Sequence, residues 1–189
     1  MQHTYHIEIE GIAPLIQGNP KSAELGLTTD KKRGASKKND PEMWRAFIYK
    51  EGEKLRHPSR SIESCLREAA SEFKATGRRT MVKPVKRTCF VQGDWLTFTN
   101  KAEPDQVKHV AKRTQMGQLV QVYEPVFSVG WRMEFFLDLL DDDIISPGHL
   151  KEILDWAGLH IGLGVDRPKY GRFIVIKFDE VNAGKQIAA

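Results

Sequence analysis

The spacing of apolar residues changes several times along this chain, and the order of these changes restricts the folds that it can adopt. Tyr5, Ile7 and Ile9 recur at every second position, which predicts a half-buried strand. Residues 59–77 and 146–158 place apolar side chains at every third or fourth position, which predicts two amphipathic helices. The chain therefore begins with a strand and contains two helices that lie far apart in sequence.

Further strand signals lie between and after the helices. The β-rich runs on either side of residues 92–94 predict a hairpin, and segments 129–137 and 171–181 each predict a strand. The resulting βαββαβ order is that of an α+β, ferredoxin-like (RRM-like) sandwich with two helices on one face of an antiparallel sheet. The other sheet face is then expected to be free for a ligand, as in RNA-recognition modules, with Trp95 and Trp131 as candidates for stacking on bases.

Length and composition are those of one folded domain. The 189 residues are expected to form a single domain, 1–189, interrupted by a long, mobile, basic loop at 17–39. Cys65 and Cys89 are too few for a disulfide framework or a zinc site, so each is expected to pack as a small apolar residue. Because no apolar run approaches ~18 residues and the first residues lack the core of a signal peptide, we expect a cytoplasmic protein without membrane contact.

Basic residues are segregated along the chain. Lys and Arg exceed Asp and Glu by 29 to 25, which gives a net charge of +4 and a pI near 9.0. Segments 31–38 and 73–88 carry basic residues without one acid, a pattern that suits a polyanion such as single-stranded RNA or DNA. The alternative is a solvated basic loop without a partner. The candidate contacts in these runs are Lys31, Lys32, Arg33, Lys37, Lys38, Arg78 and Arg79.

A glycine-rich segment, residues 158–172, follows the second predicted helix and precedes the last strand. A dinucleotide-binding fingerprint needs the opposite order, and no Gly-Lys-Ser/Thr sequence is present, so neither nucleotide loop is indicated. Two interpretations stay open. In one, Gly158 ends the helix and the other glycines form a tight turn. In the other, bare backbone approaches phosphates that nearby cations neutralise. The residues of this second interpretation are Gly162, Gly164, Arg167, Lys169 and Arg172.

The glycine-rich segment resembles that of a known family. The sequence GLHIGLGVDRPKYGRF, just before the terminal strand of a βαββαβ chain, is similar to the glycine-rich loop of the repeat-associated mysterious proteins, the RAMP superfamily of CRISPR ribonucleoproteins. The first strand running into GIAPLI extends the likeness, and HPSRSIESCLREAA resembles the first helix of the crRNA-binding backbone subunits. Solitary domains encoded by phages are similar as well.

The resemblance implies a function and further contacts. Members of the superfamily bind single-stranded RNA, some as filament-forming backbone subunits and some as processing nucleases. It therefore implies a non-catalytic, crRNA-type RNA-binding protein that self-associates or joins a CRISPR-type ribonucleoprotein, with contacts from Arg60 and Arg67 on the first helix. The chain is shorter than typical backbone subunits, so the large inserted thumb must be abbreviated. A protein-interaction module that engages a CRISPR complex is an alternative.

A metal-independent RNA-processing endonuclease is the other class of function that we consider. Such cleavage needs a base for the 2′-hydroxyl and an acid for the leaving oxygen, and His57 and His109 are the histidines in basic surroundings. For a metal-dependent cut instead, the resemblance adds Asp30, with Asp40 in the same stretch, because backbone subunits of some RNA-targeting complexes carry an aspartate in the loop after the first strand. His3 and His6 fit ordinary strand residues. No cofactor and no metal site are expected.

Overall fold

The computed structural model describes residues 2–19, 43–75, 79–113 and 119–181. Within these ranges the chain forms ten strands, three α-helices and a short 3₁₀ helix. The strands are β1 (His3–Gly11), β2 (Leu15–Ile16), β3 (Tyr49–Glu51), β4 (Lys54–Pro58), β5 (Cys89–Val91), β6 (Trp95–Phe98), β7 (Gln106–Arg113), β8 (Leu119–Phe127), β9 (Arg132–Leu139) and β10 (Phe173–Val181). The helices are α1 (Ser59–Ala69), α2 (Val82–Thr88), α3 (Pro147–His160) and the 3₁₀ helix Met43–Phe47.

Most strands form one antiparallel sheet against which the helices pack. Its order is β10-β1-β9-β6-β4-β3, and β5 pairs with the other end of β9. The predicted alternation of β1 is confirmed, because Tyr5, Ile7 and Ile9 are buried in the core while His6 and Glu8 lie on the opposite face. The protein is therefore α+β, with antiparallel sheets.

The predicted hairpin around residues 92–94 is wrong, although both of its strands exist. β5 and β6 each pair with β9, as Cys89 with Leu139 and Thr97 with Glu134 show, so the two strands follow one another along a single partner. Between them the chain leaves the ladder, and the Asp94 carbonyl accepts the backbone N–H at the start of α1. The apolar pattern predicted the strands, but it carried no information about a partner so far along the chain.

The sequence patterns do not predict the second sheet, which has the order β2-β8-β7. β7 and β8 form a long antiparallel hairpin, and the two-residue β2 pairs Leu15 with Phe127 beside it. The described side chains of β7 are exposed or half-buried. A strand without a buried face has no apolar alternation, so its sequence resembles a polar loop.

The second predicted helix is present, with a different end. Ser146 caps α3, since its Oγ accepts the His149 backbone N–H at 3.3 Å, and a proline opens the helix as predicted. Gly158 does not end α3, which continues to His160. A Cβ at Gly158 would overlap the Phe173 carbonyl oxygen, so glycine is needed here for the close approach of the helix to β10.

The first predicted helix is shorter than its pattern, because α1 ends at Ala69 rather than near residue 77. After it comes α2, which the sequence does not predict since it has seven residues and Pro84 lies inside it. α2 contacts α1 and β5 and buries Val85 between them. In the part of the chain that the structure describes, no helix is long and apolar enough to cross a membrane.

Both cysteines are buried free thiols, as predicted. Cys65 Sγ donates to the Gly162 carbonyl oxygen at 3.3 Å, which joins α1 to the glycine-rich segment. Burial raises the pKa of the Cys65 thiol to about 12 and that of the Cys89 thiol to about 11. Both therefore stay protonated at neutral pH and act as small core residues.

Candidate nucleic-acid interface

A basic surface covers the end of α1, α2 and the segment between these helices. Its cations are exposed or half-buried, and among the described residues none forms an ion pair with a carboxylate. We name them the α1–α2 basic surface: Arg67, Lys74, Arg79, Lys83, Lys86 and Arg87. By contrast, Lys50, Lys101 and Lys151 each lie 2.5 to 2.6 Å from a carboxylate oxygen.

A shallow groove runs between α1 and α2 within this surface. Arg67 and Lys86 line it from the two helices, and Phe90 of β5 lines it as well, with 42% of its surface exposed. Glu63 is the one acid in the lining, and its Oε1 accepts the Val91 backbone N–H at 3.4 Å. The groove thus combines cations suited to phosphates with an exposed aromatic ring suited to a base.

The acid-free run 73–88 contains the sequence signal for this surface, and contacts of its cations with phosphates stay a prediction. Arg79 is exposed, and Arg78 lies outside the described residues. The sequence does not indicate α2, the helix that presents Lys83, Lys86 and Arg87 together.

Arg67 and Glu68, neighbours in the last turn of α1, face different parts of the structure. Arg67 lines the groove, whereas Glu68 lies 3.5 Å from Arg167 of the glycine-rich segment. Arg167 Nη1 also donates to the Gly162 carbonyl oxygen at 3.4 Å. The charge of Arg167 is therefore partly compensated by the protein itself, unlike the charges of the α1–α2 basic surface.

Two lysines lie beside Tyr170 of the glycine-rich segment. Lys169 Nζ lies 5.8 Å from the centre of the Tyr170 ring, and Lys108 Nζ donates to the Tyr170 hydroxyl at 3.0 Å. The second contact joins β7 to the glycine-rich segment, which no sequence signal indicated. Arg172 is exposed. Contacts of Arg167, Lys169 and Arg172 with phosphates stay predictions.

The glycines of this segment face the protein's own backbone. A Cβ at Gly162 would lie 2.8 Å from the Gly171 carbonyl carbon, and one at Gly164 would overlap the Ile16 carbonyl oxygen. Ile16 O also accepts the Val165 backbone N–H at 3.1 Å. Close packing against the backbone of Gly171 accounts for Gly162, and close packing against β2 accounts for Gly164. An approach of phosphates to these glycines stays a prediction.

The remaining predicted contacts are scattered or outside the described ranges. Arg60 is exposed in the first turn of α1, seven residues before Arg67, which corresponds to roughly 10 Å along the helix axis. Of the predicted loop 17–39, only residues 17–19 are described, and Gln17 is fully buried. Outside the described residues lie Asp30, Lys31, Lys32, Arg33, Lys37 and Lys38.

His57, the first catalytic candidate, is 2% exposed and held on both ring nitrogens. Gln17 accepts the Tyr49 backbone N–H and donates to the Arg56 carbonyl oxygen, which fixes the orientation of its amide. The amide nitrogen of Gln17 lies 3.3 Å from His57 Nδ1, so Nδ1 accepts this hydrogen bond. His57 Nε2 then carries the proton and donates to Ser61 Oγ at 3.0 Å. A neutral, enclosed ring of this kind does not fit a general base for RNA cleavage.

Burial of His57 predicts a loss of stability in acid. It lowers the pKa of the ring from 6.5 to about 4. The unfolded chain binds this proton below about pH 6.5 and the folded protein only below about pH 4. The free energy of unfolding should therefore fall between these values, by roughly 3 kcal/mol in total, and the His57 contribution should be constant above and below them.

Urea unfolding at several pH values from 7 to 4 measures this effect. We expect the free energy of unfolding of His57→Gln to change less between pH 7 and pH 4 than that of the wild type, by that amount, whatever the stability of the variant at pH 7. The control is His109→Gln at an exposed position, which should leave the pH dependence of the free energy of unfolding close to that of the wild type. Equal pH dependence in the wild type and His57→Gln would show that the ring is protonated in the folded protein.

His109, the second candidate, is exposed on β7. Its ring stacks on Tyr123 of β8, with 4.5 Å between ring centres and an angle of 7° between the planes. The ring is thus accessible and has a defined orientation. No hydrogen bond to the ring is present among the described residues, and its role in cleavage stays a prediction.

The open face of the large sheet is acidic along its central strands β1 and β9, and it is flanked by Lys177 on β10 and Arg56 on β4. Glu8, Glu10, Glu134 and Asp138 alternate with the buried positions of β1 and β9 and so project from this face. Arg132, which also lies there, is bound to Glu10 at 2.6 Å. The expectation that this face accepts RNA does not fit these charges, because phosphates would meet carboxylates.

The expectation that Trp131 stacks on bases is wrong, because its side chain is fully buried. Its Nε1 donates to the Ala13 carbonyl oxygen at 2.9 Å, and its ring occupies the space beside Gly11. Trp95 is half-buried, with its ring centre 5.9 Å from that of Tyr49. Trp131 is therefore a core residue.

Comparisons with known proteins identify a similar fold. No protein-family model matches the chain, and no curated protein matches it. Among solved structures, it is similar to a chain of the Type III-B Cmr-beta, whose cryo-EM structure contains cognate target RNA. The TM-score is 0.56 at 10% sequence identity, and the match covers 96% of this chain but 61% of the other. The likeness is therefore one of fold, and the Cmr-beta chain is longer than this one.

Proposed function

We propose that this protein binds single-stranded RNA through the α1–α2 basic surface, without cleaving it. The observation that carries the proposal is the set of six cations on α1, α2 and the segment between these helices that have no carboxylate partner among the described residues. Like charges held close together repel one another, and the phosphates of a nucleic acid compensate them. The exposed ring of Phe90 in the groove adds a surface for a base.

The distribution of charge favours the helix side of the sheet. The open face presents Glu8, Glu10, Glu134 and Asp138, whereas α2 presents Lys83, Lys86 and Arg87. A single strand drawn to the basic side and repelled from the acidic side has a defined location on the molecule. This location differs from the one that the RRM comparison predicted.

The fold supports a RAMP-type identity. We assign β1, α1, β5 with β6, β9, α3 and β10 to a ferredoxin-like βαββαβ core, because the order β10-β1-β9-β6 and the helix positions correspond to that arrangement. The similar chain of the Type III-B Cmr-beta, a complex bound to cognate target RNA, supports the same assignment. We further propose a CRISPR-type ribonucleoprotein, from a host or a phage, as the context in which the protein binds RNA or associates with its own copies.

Neutralising α2 is the direct test of this proposal. We expect Lys83→Gln, Lys86→Gln and Arg87→Gln together to weaken binding of a labelled single-stranded RNA by up to roughly 100-fold at 0.1 M salt. The plot of log affinity against log salt should become flatter by about 2, because three contacts each contribute about 0.7. Fluorescence anisotropy over a salt series measures both quantities, and a DNA strand of the same sequence measures the preference for RNA.

The control removes the same charge elsewhere. Lys50→Gln, Lys101→Gln and Lys151→Gln together also lower the net charge by three, but these lysines are paired with carboxylates. We expect this variant to change the affinity less than threefold. Equal weakening in both variants would mean that net charge alone acts, and unchanged binding in the α2 variant would exclude this surface. If the wild-type protein cleaved the RNA and His109→Ala left it intact, the non-enzymatic role would be contradicted.

A further inference from the structure

Three potential metal ligands meet on the open face of the large sheet. They are His6 and Glu8 of β1 and Glu134 of β9, and their ligand atoms all lie within 4.8 Å of one another. His6 Nε2 is 3.0 Å from Glu134 Oε2. All three residues are half-buried, so the cluster is accessible from solvent but sits in the surface of the sheet.

The geometry of the sheet explains why these residues are together. His6 and Glu8 are two positions apart on one strand, so they project from the same face. Glu134 is the register partner of Glu8 on the neighbouring strand, which places two carboxylates directly opposite each other. A like-charged cross-strand pair is unfavourable unless a positive charge compensates it.

The nearest basic side chains are engaged elsewhere. Arg132 is bound to Glu10 at 2.6 Å, and Lys177, the register partner of Glu8 on β10, lies 3.8 Å from Asp179. Among the described residues, neither Glu8 nor Glu134 forms an ion pair with Lys or Arg. The negative charge of the two carboxylates is therefore compensated by the imidazole of His6 or by a cation that binds beside it.

We propose that His6, Glu8 and Glu134 form a site for a divalent transition-metal ion, with Zn²⁺ as the best match. One imidazole nitrogen and two carboxylate oxygens are ordinary Zn²⁺ ligands, whereas Mg²⁺ and Ca²⁺ prefer oxygen alone. Bonds of ~2.0–2.2 Å in a tetrahedral shell place donor atoms roughly 3.3 Å apart, close to the 3.0 Å between His6 and Glu134. Three protein ligands leave a position for water.

Neighbouring residues prepare the site for this role. The His6 ring stacks on Phe136, its register partner on β9, with 4.8 Å between ring centres and 19° between the planes. This contact restricts the orientation of the ring and so reduces the entropy lost on coordination. The bound ion would join the two central strands of the sheet, and because the site lies on the face opposite the α1–α2 basic surface, the proposal does not depend on RNA binding.

Metal binding is tested on protein stripped with EDTA and then freed of the chelator. In calorimetric titrations with Zn²⁺ we expect one ion per chain. A Zn²⁺ concentration about 100 times the dissociation constant should raise the unfolding temperature by roughly 5 to 10 °C. Co²⁺ should report the same site through visible absorption bands that Zn²⁺ abolishes.

Variants identify the ligands. His6→Ala, Glu8→Gln and Glu134→Gln should each weaken Zn²⁺ binding at least tenfold, while unfolding in EDTA shows that each variant is folded. His3→Ala is the matched control, since His3 lies on the same strand but binds Glu180 and Asp142 instead. Absence of binding, unchanged binding in the three variants, or a loss confined to His3→Ala would overturn the proposal.

Discussion

Replacing Gly171 by alanine is expected to destabilise the protein by more than about 4 kcal/mol, enough to unfold much of it at room temperature. A Cβ at this position would overlap the Leu163 carbonyl oxygen and lie 2.8 Å from the Leu163 nitrogen. These are backbone atoms, and they cannot rotate away as a side chain would. Leu163 N also donates to the Gly171 carbonyl oxygen at 2.9 Å, so the two segments cannot separate without losing this bond.

Gly93→Ala separates the steric part of this effect from the conformational part. Gly93 has φ of 72°, close to the 75° of Gly171, but a Cβ there would meet nothing within 4 Å. Its substitution should cost only about 1 kcal/mol, the usual penalty for a side chain in the left-handed region. Urea unfolding of both variants measures the difference. If Gly171→Ala were no worse than Gly93→Ala, packing would not require the glycine at position 171.

The second large effect is expected for Trp131→Ala. Its side chain is fully buried and its Nε1 binds the Ala13 carbonyl oxygen, so the substitution leaves a cavity and an unsatisfied acceptor. A loss of 3–5 kcal/mol is typical of a buried Trp→Ala change and should lower the unfolding temperature by on the order of 10 °C. Differential scanning calorimetry measures this shift directly.

RNA binding by the same variant distinguishes a core residue from a base-stacking residue. Below its unfolding temperature, Trp131→Ala should bind RNA with nearly the affinity of the wild type, because the residue does not contact the solvent. Phe90→Ala is the comparison, since this ring is exposed in the groove, and it should weaken RNA binding with little effect on stability. A normal unfolding temperature with weakened RNA binding for Trp131→Ala would contradict the buried position.

The elements that the sequence predicted are those with a one-sided apolar pattern. β1, α1, α3 and β9 each bury one face, and the spacing of their apolar residues follows from this burial. α2 and the β7–β8 hairpin were missed because the first contains Pro84 and the second exposes much of its surface. The pairing of β5 and β6 with β9 was missed for another reason, since it depends on contacts between distant segments that local spacing does not encode.

The sequence predicted that the candidate site is positively charged, but it did not predict how its cations are arranged. The acid-free run 73–88 indicated a basic surface, and the structure adds that its described cations lack carboxylate partners there. Arg67 and Arg167 have equal standing in the sequence, yet Glu68 compensates only the second. The sequence singled out His57 and treated His6 as an ordinary strand residue, whereas the structure buries the first and gives the second two carboxylate neighbours through the register of β1 and β9.

The position of β1 in the large sheet determines when this strand can pair during synthesis of the chain. Its neighbours are β9 and β10, so both edges of β1 stay without a partner until residues 132–139 and 173–181 have left the ribosome. At a translation rate of ~10 residues per second, the wait for β9 lasts on the order of 10 s. During this interval the apolar side of β1 is exposed on an extended segment. We therefore expect the nascent chain to bind chaperones and to be prone to pairing between copies of β1 on crowded polysomes.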